Sequence, residues 1–162
     1  KGGIRDRWAQ LGYQTGKMGY PTSAETWDGK GWWQSYQNGT IVGSAATGYW
    51  ESMGPIRDRW AQLGYQTGKM GYPVGSIITS ADGTTSWQQY ENGYLYWTIQ
   101  TGAWESKGGI RDCWAQMGYA TGQSGAPTGP EIYNTSSATW SQTYQNGTIF
   151  YTKASGGWYQ KK

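Results

Sequence analysis

"IRDRWAQLGYQTGKMGYP" occupies residues 4–21 and recurs letter for letter at residues 56–73. At residues 110–127 it reads "IRDCWAQMGYATGQSGAP", which keeps twelve of the eighteen positions. Repetition at a fixed period marks stacked units, each unable to bury its apolar surface alone. Further markers recur in the same order: "YQNG" at Tyr36, "YENG" at Tyr90 and "YQNG" at Tyr144, then "TGYW" at Thr47, "TGAW" at Thr101 and "SGGW" at Ser155. In each copy the Ile and the Pro are 17 positions apart, and the Tyr and the closing Trp 14. Only the stretch from Pro to Tyr varies, 15 residues in the first copy and 17 in the others, so length changes fall in one loop. The copies run over 2–53, 54–107 and 108–162 of a single repeat domain, 1–162.

Within "IRDRWAQLG", Ile4, Trp8 and Leu11 fall at i, i+4 and i+7, the spacing of one apolar helix face. Pro55 suits a first helical turn, Asp6 and Asp58 suit the positive end of the helix dipole, and Gly12, Gly64 and Gly118 are natural stops. A helix this short needs tertiary docking to persist. Next comes a hairpin signal. Asn38-Gly39 stands between two runs of β-formers, and Asn92-Gly93 and Asn146-Gly147 repeat it, which predicts type I′ turns pairing Tyr36 with Ile41. Gln34, Tyr36 and Ile41 then share one face and Trp33 and Val42 the other. Both faces are partly apolar, so each hairpin packs on its own helix and on a neighbouring copy. The fold expected is α+β: three tandem units, each a short helix plus a β-hairpin, in approximate threefold pseudo-symmetry, a closed ring being favoured over an open arc.

Composition limits the function. Twelve Trp and 14 Tyr accompany one Phe, and 13 basic residues against 10 acidic give a net charge of +3. Flat rings with polar tips suit surfaces that meet a partner. Without a basic run to follow phosphates, a nucleic-acid partner is not expected. No apolar run is long enough to cross a membrane, so no insertion is expected. The absence of histidine excludes Ser-His-Asp and Cys-His catalysis, and no metal or other cofactor is expected. The lone Cys113 has no internal disulfide partner and occupies the slot of Arg7 and Arg59. An enzyme is therefore not expected.

In "GIRDRWAQLG…MGYP…WQQYENGYLYW…TGAW" the chain resembles the LGFP repeat family over its whole length. The tetrapeptide that names the family corresponds to Met18–Pro21 and Met70–Pro73, and has become Ser124–Pro127 in the third copy. If that tetrapeptide touched ligand, the third copy would be the weaker site. The resemblance implies an extracellular, cell-wall-associated bacterial module, typical of actinobacteria. Such a module anchors a catalytic domain of the same parent chain to wall polysaccharide, arabinogalactan or peptidoglycan. It brings no catalytic residues with it.

Sugar recognition needs an aromatic face and a few convergent polar groups. The candidates are the closing Trp50, Trp104 and Trp158; Trp33 and Trp87 on the second hairpin face; Tyr20 and Tyr72 in the "GYP" turn; and Glu51 and Glu105 beside the closing tryptophans. Trp8, Trp60 and Trp114, on the helix face, are expected to be core. Gln34, Gln88 and Gln142 are expected to bridge backbone groups. The function expected is non-catalytic binding of a cell-wall or other glycan. The alternative is a structural or protein-interaction repeat module without a glycan pocket.

Overall fold

The computed structural model describes residues 2–162. Its three helices are α1 (Gly3–Gln10), α2 (Gly54–Gln62) and α3 (Gly108–Gln116). Each leads through a single 3-10 turn into a four-stranded antiparallel sheet whose strands lie in chain order. The first sheet comprises β1 (Thr26–Trp27), β2 (Trp32–Tyr36), β3 (Gly39–Ser44) and β4 (Gly48–Met53). The second comprises β5 (Ile78–Thr79), β6 (Thr85–Tyr90), β7 (Gly93–Thr98) and β8 (Gly102–Ser106). The third comprises β9 (Ile132–Asn134), β10 (Thr139–Tyr144), β11 (Gly147–Thr152) and β12 (Gly156–Lys161). The expected hairpin is therefore the inner pair of a larger meander. The closing "TG-W" segment turns back as a fourth strand, and part of the variable loop adds a first.

The turn differs from the sequence reading. Tyr36 pairs with Gly39 and Gln34 with Ile41, so Gln37 and Asn38 form the turn, and neither has positive φ. The register is two residues from that expected. Because the slip is even, every side chain keeps its face. Gly39 is needed for a different reason: a Cβ there would lie 2.5 Å from the Ser52 carbonyl oxygen of the adjacent strand. The turn is clamped by the tetrapeptide, with Gln37 N–H donating to the Tyr20 carbonyl and Asn38 N–H to that of Met18.

The helix reading holds, and α2 and α3 each do two jobs, packing on their own sheet and on the preceding one. Ile4 packs with Met18, Tyr36 and Ile41 of its own copy. Ile56, Trp60 and Met70 pack with Tyr90 and Leu95 of their own sheet and also with Val42 of the preceding one. Tyr96 extends the second sheet onto Trp114 in the same way, ring edge to ring face at 5.1 Å. Burying one valine-sized side chain contributes about 1.5–3 kcal/mol. The buried glutamines tie the junctions: Gln88 Nε2 donates to the Glu51 carbonyl (2.6 Å) and to the Gly75 carbonyl (2.9 Å), and Gln142 repeats this on Glu105 and Gly129. This agrees with the backbone-bridging role expected for them.

Among the described residues, every hydrogen bond and ion pair between copies joins the first to the second or the second to the third. Among the described residues, no such hydrogen bond or ion pair links the first copy to the third. No described helix is long and apolar enough to cross a membrane.

Candidate functional site

Stacking a helix on the preceding sheet leaves an open cleft beside it, and the two junctions make two related clefts. The first, about 330 Å³, has Trp33 and Thr40 on its sheet wall, Arg57 and Trp60 on its helix wall, and Tyr65 and Gln66 at its rim. The second, about 370 Å³, repeats the plan with Trp87, Tyr94 and Tyr96 facing Arg111, Trp114 and Tyr119. Both clefts combine broad rings with a guanidinium.

The rim tyrosine is held in an unusual backbone state. Gly12, Gly64 and Gly118 end the helices with φ of 92°, 93° and 90°. The next residues, Tyr13, Tyr65 and Tyr119, also have positive φ, at 52°, 54° and 56°. A left-handed conformation costs a non-glycine residue about 1–2 kcal/mol. In return the ring lies edge-on against the helix tryptophan, 5.3 Å away for Trp60–Tyr65 and 5.2 Å for Trp114–Tyr119. The rings are still about 40% exposed, Tyr65 39% and Tyr119 42%. Tyr13 has the same geometry beside Trp8 but no preceding sheet facing it among the described residues.

The arginines are poised differently in the two clefts. Arg57 Nε donates to Thr40 Oγ1 at 2.9 Å. In the second cleft Tyr94 takes the place of Thr40; Arg111 stacks 3.9 Å from its ring centroid, and its Nε is buried without a partner. Gln66 Nε2 donates to Asp28 at 2.7 Å on the edge of the first cleft. Chemically, each cleft offers ring faces for C–H groups and N–H donors for hydroxyls or carboxylates.

The LGFP repeat model matches residues 18–68 and again 70–122, together more than half of the chain. The chain belongs to the LGFP repeat family. No curated protein matches the sequence. Each matched LGFP unit runs from a tetrapeptide, through its sheet, to the helix of the next copy, and so contains one whole cleft. The naming tetrapeptide itself is structural. Met18 and Met70 are fully buried, and the indole N–H groups of Trp8 and Trp60 donate to the tetrapeptide carbonyls of Gly19 and Gly71.

Of the residues singled out in the sequence, Trp33 and Trp87 line the clefts. Trp50 and Trp104 lie outside them, half-buried, each donating its indole N–H to its own turn carbonyl (Thr47 or Thr101) at 2.7 Å and each covered by an arginine. Trp158 is exposed and stacks on Phe150. Tyr20 is 59% exposed, whereas Tyr72 is 2% exposed and donates its hydroxyl to Asp28. Burial together with Asp28 pushes the Tyr72 phenol well above its ordinary pKa.

Glu51 and Glu105 are fully buried. Glu51 binds Arg7 (2.6 Å) and Lys17 (2.8 Å); Glu105 binds Arg59 (2.7 Å) and Lys69 (3.0 Å). Burial alone would raise both carboxyl pKa values, but the hydrogen bonds from Lys and Arg outweigh it and hold them below the ordinary value. These ion pairs close within one copy, tying each helix and the turn after it to the copy's own last strand, and the acids do not line the clefts. In the third copy the corresponding positions are Cys113, Gln123 and Tyr159, so all three members change together. The cleft arginines and rim tyrosines were not singled out in the sequence, although their recurrence at fixed offsets from the helix isoleucine was visible there.

Proposed function

We propose that this LGFP array is a non-catalytic glycan-binding module, extracellular and cell-wall associated, that holds an attached enzyme on wall polysaccharide. The observation that carries this reading is the aromatic, arginine-bearing cleft repeated at both junctions. A repeating polymer can occupy both clefts at once, and effective concentration then multiplies two weak affinities. The lack of histidine and the engagement of Glu51 and Glu105 in ion pairs support a binding role over a catalytic one.

The test is co-sedimentation with insoluble wall, native or stripped of polysaccharide. The wild-type chain is expected on native wall only, and W33A/W87A is expected to stay in solution. Equal retention of that variant, with its fold intact by circular dichroism, rules out the clefts. A second reading, a protein-interaction module, is favoured by the stacked Phe150–Trp158 pair on the exposed sheet at the far end. Retention on stripped wall, or on no wall fraction, would bring that reading forward.

A further inference from the structure

The third copy differs from the second at several neighbouring positions together, and at two of them, Glu131 and Trp140, it carries the residue types that the first copy has at Glu25 and Trp32. In the second and third copies a second kind of groove runs between the start of the helix and its own sheet. In the second copy it is walled by Met53, Ile77, Ser86 and Trp97. Strand register aligns Ile78 with Ile132 and Ser86 with Trp140, so Ile77 corresponds to Glu131 and Thr79 to Tyr133. Helix starts align Met53 with Lys107. The groove of the third copy, about 270 Å³, is accordingly walled by Lys107, Glu131, Trp140 and Tyr151, with Asn92 at its edge.

Three observations there point to a ligand. Trp140 and Tyr133 form a cross-strand ring pair 4.6 Å apart and are still 36% and 44% exposed. A comparable pair, Trp27–Trp32 at 5.3 Å, occupies the same register in the first copy, where the second copy has only the hydroxyls of Thr79 and Ser86. Glu131 Oε1 is buried and has no hydrogen-bond partner. Lys107 Nζ lies 5.8 Å from the Trp140 ring centroid, bringing an ammonium group to the same groove. A buried acceptor without a protein partner, set in a groove with an indole face, is a place where an incoming hydroxyl can donate.

We propose that this groove is a second, separate binding site for a single neutral, hydroxyl-bearing saccharide ring. It rests on the glycan-binding reading of the array but uses none of the cleft residues. The ring face would cover Trp140, one hydroxyl would donate to Glu131, and another would accept from Lys107. An ionic ligand is disfavoured on either sign: a carboxylate meets the Glu131 carboxyl group, and a cation meets the Lys107 ammonium. The volume suits one ring rather than a chain.

The test is a titration of the ¹⁵N-labelled chain with N-acetylglucosamine, methyl α-arabinofuranoside and, as an anionic control, glucuronic acid. The readout is the indole and backbone amide shifts. A neutral sugar is expected to move the Trp140 indole and the amides around Lys107 and Glu131. The backbone amide shifts should persist in W33A/W87A, and the affinity they report should weaken at least tenfold in E131I/W140S, which carries the residues the second copy already has. If that double variant does not fold, Lys107→Met supplies the same comparison. Shifts confined to the junction clefts would overturn this site and leave the cleft reading standing. A response to glucuronic acid alone would overturn the neutral-ring assignment, and no shifts at either place would overturn both proposals.

Discussion

Glu105 sits at zero side-chain exposure, with Arg59 at 14% and Lys69 at 40%. Its Oε2 accepts from Arg59 Nη2 at 2.7 Å and Nε at 3.0 Å; Oε1 accepts from Lys69 at 3.0 Å and from the Glu131 N–H at 3.3 Å. With an effective dielectric near 20, each charge pair is worth roughly 4 kcal/mol gross. Desolvation of several kcal/mol per buried ion offsets much of that, so the intact network contributes little net stability. Breaking it is another matter. Arg59→Met leaves a buried carboxylate with one solvent-facing lysine, and about 3–5 kcal/mol should be lost. Glu105→Gln keeps the volume and one acceptor, so about 2–4 kcal/mol is expected. The double variant should cost about 2 kcal/mol less than the sum, because the second change removes a charge the first had already orphaned. Urea unfolding at pH 7 measures all four proteins, and thermal melting should shift by roughly 2–4 °C per kcal/mol. Since the folded carboxyl pKa is depressed, the Glu105 contribution is present above its ordinary value and fades as pH falls through the folded one. Additive losses, or a Glu105→Gln variant within about 0.5 kcal/mol of wild type, would refute the coupled network. Loss of wall retention without loss of stability would return Glu105 to the binding surface.

Glu131 carries the opposite pH sign. Burial first, then the neighbouring Glu105, push its pKa up to about 7 against the pull of Lys107 and Lys69. Stability should therefore fall as pH rises from about 4.5 to about 7, by at most about 3 kcal/mol and less after solvent screening. Glu131→Gln should flatten that slope in melts between pH 4 and 8; an unchanged slope counts against the shift. Gly39→Ala should cost more than about 2 kcal/mol, because its methyl must displace the neighbouring strand; a loss under 0.5 kcal/mol would contradict the close approach. Tyr72→Phe should cost about 1–3 kcal/mol by leaving Asp28 short of one donor. The loss should be smaller at low pH, where the depressed Asp28 carboxyl becomes protonated. A pH-independent loss would point to packing alone.

Periodicity alone placed the helices and their stops, assigned the two faces of each hairpin, and put Ile4, Ile56 and Ile110 in the core. All of that follows from local geometry, which identical letters reproduce identically. Asn-Gly misled on the turn because its glycine answers to a neighbouring strand, a long-range demand with no local signature. The clefts were also out of reach: Trp33 was visible as a ring on a face, but Arg57 and Tyr65 join it only when the next helix docks. Glu131 lies in the variable loop and Trp140 in the strand after it; the same letters stand at Glu25 and Trp32 of the first copy, but Ile77 and Ser86 of the second break the recurrence, and the loop's changing length hides it.

The two identical eighteen-residue segments make the division plainest. Tyr20 and Tyr72 are the same letter in the same context, yet one is 59% exposed and the other 2%. Trp60 is fully buried, while its twin Trp8 is only half-buried. The segment determines its own helix, left-handed turn and clasp, because those contacts close within one copy. Whether its outer rings meet water or the preceding sheet depends on what stands next to it, and only the stacking of copies decides that.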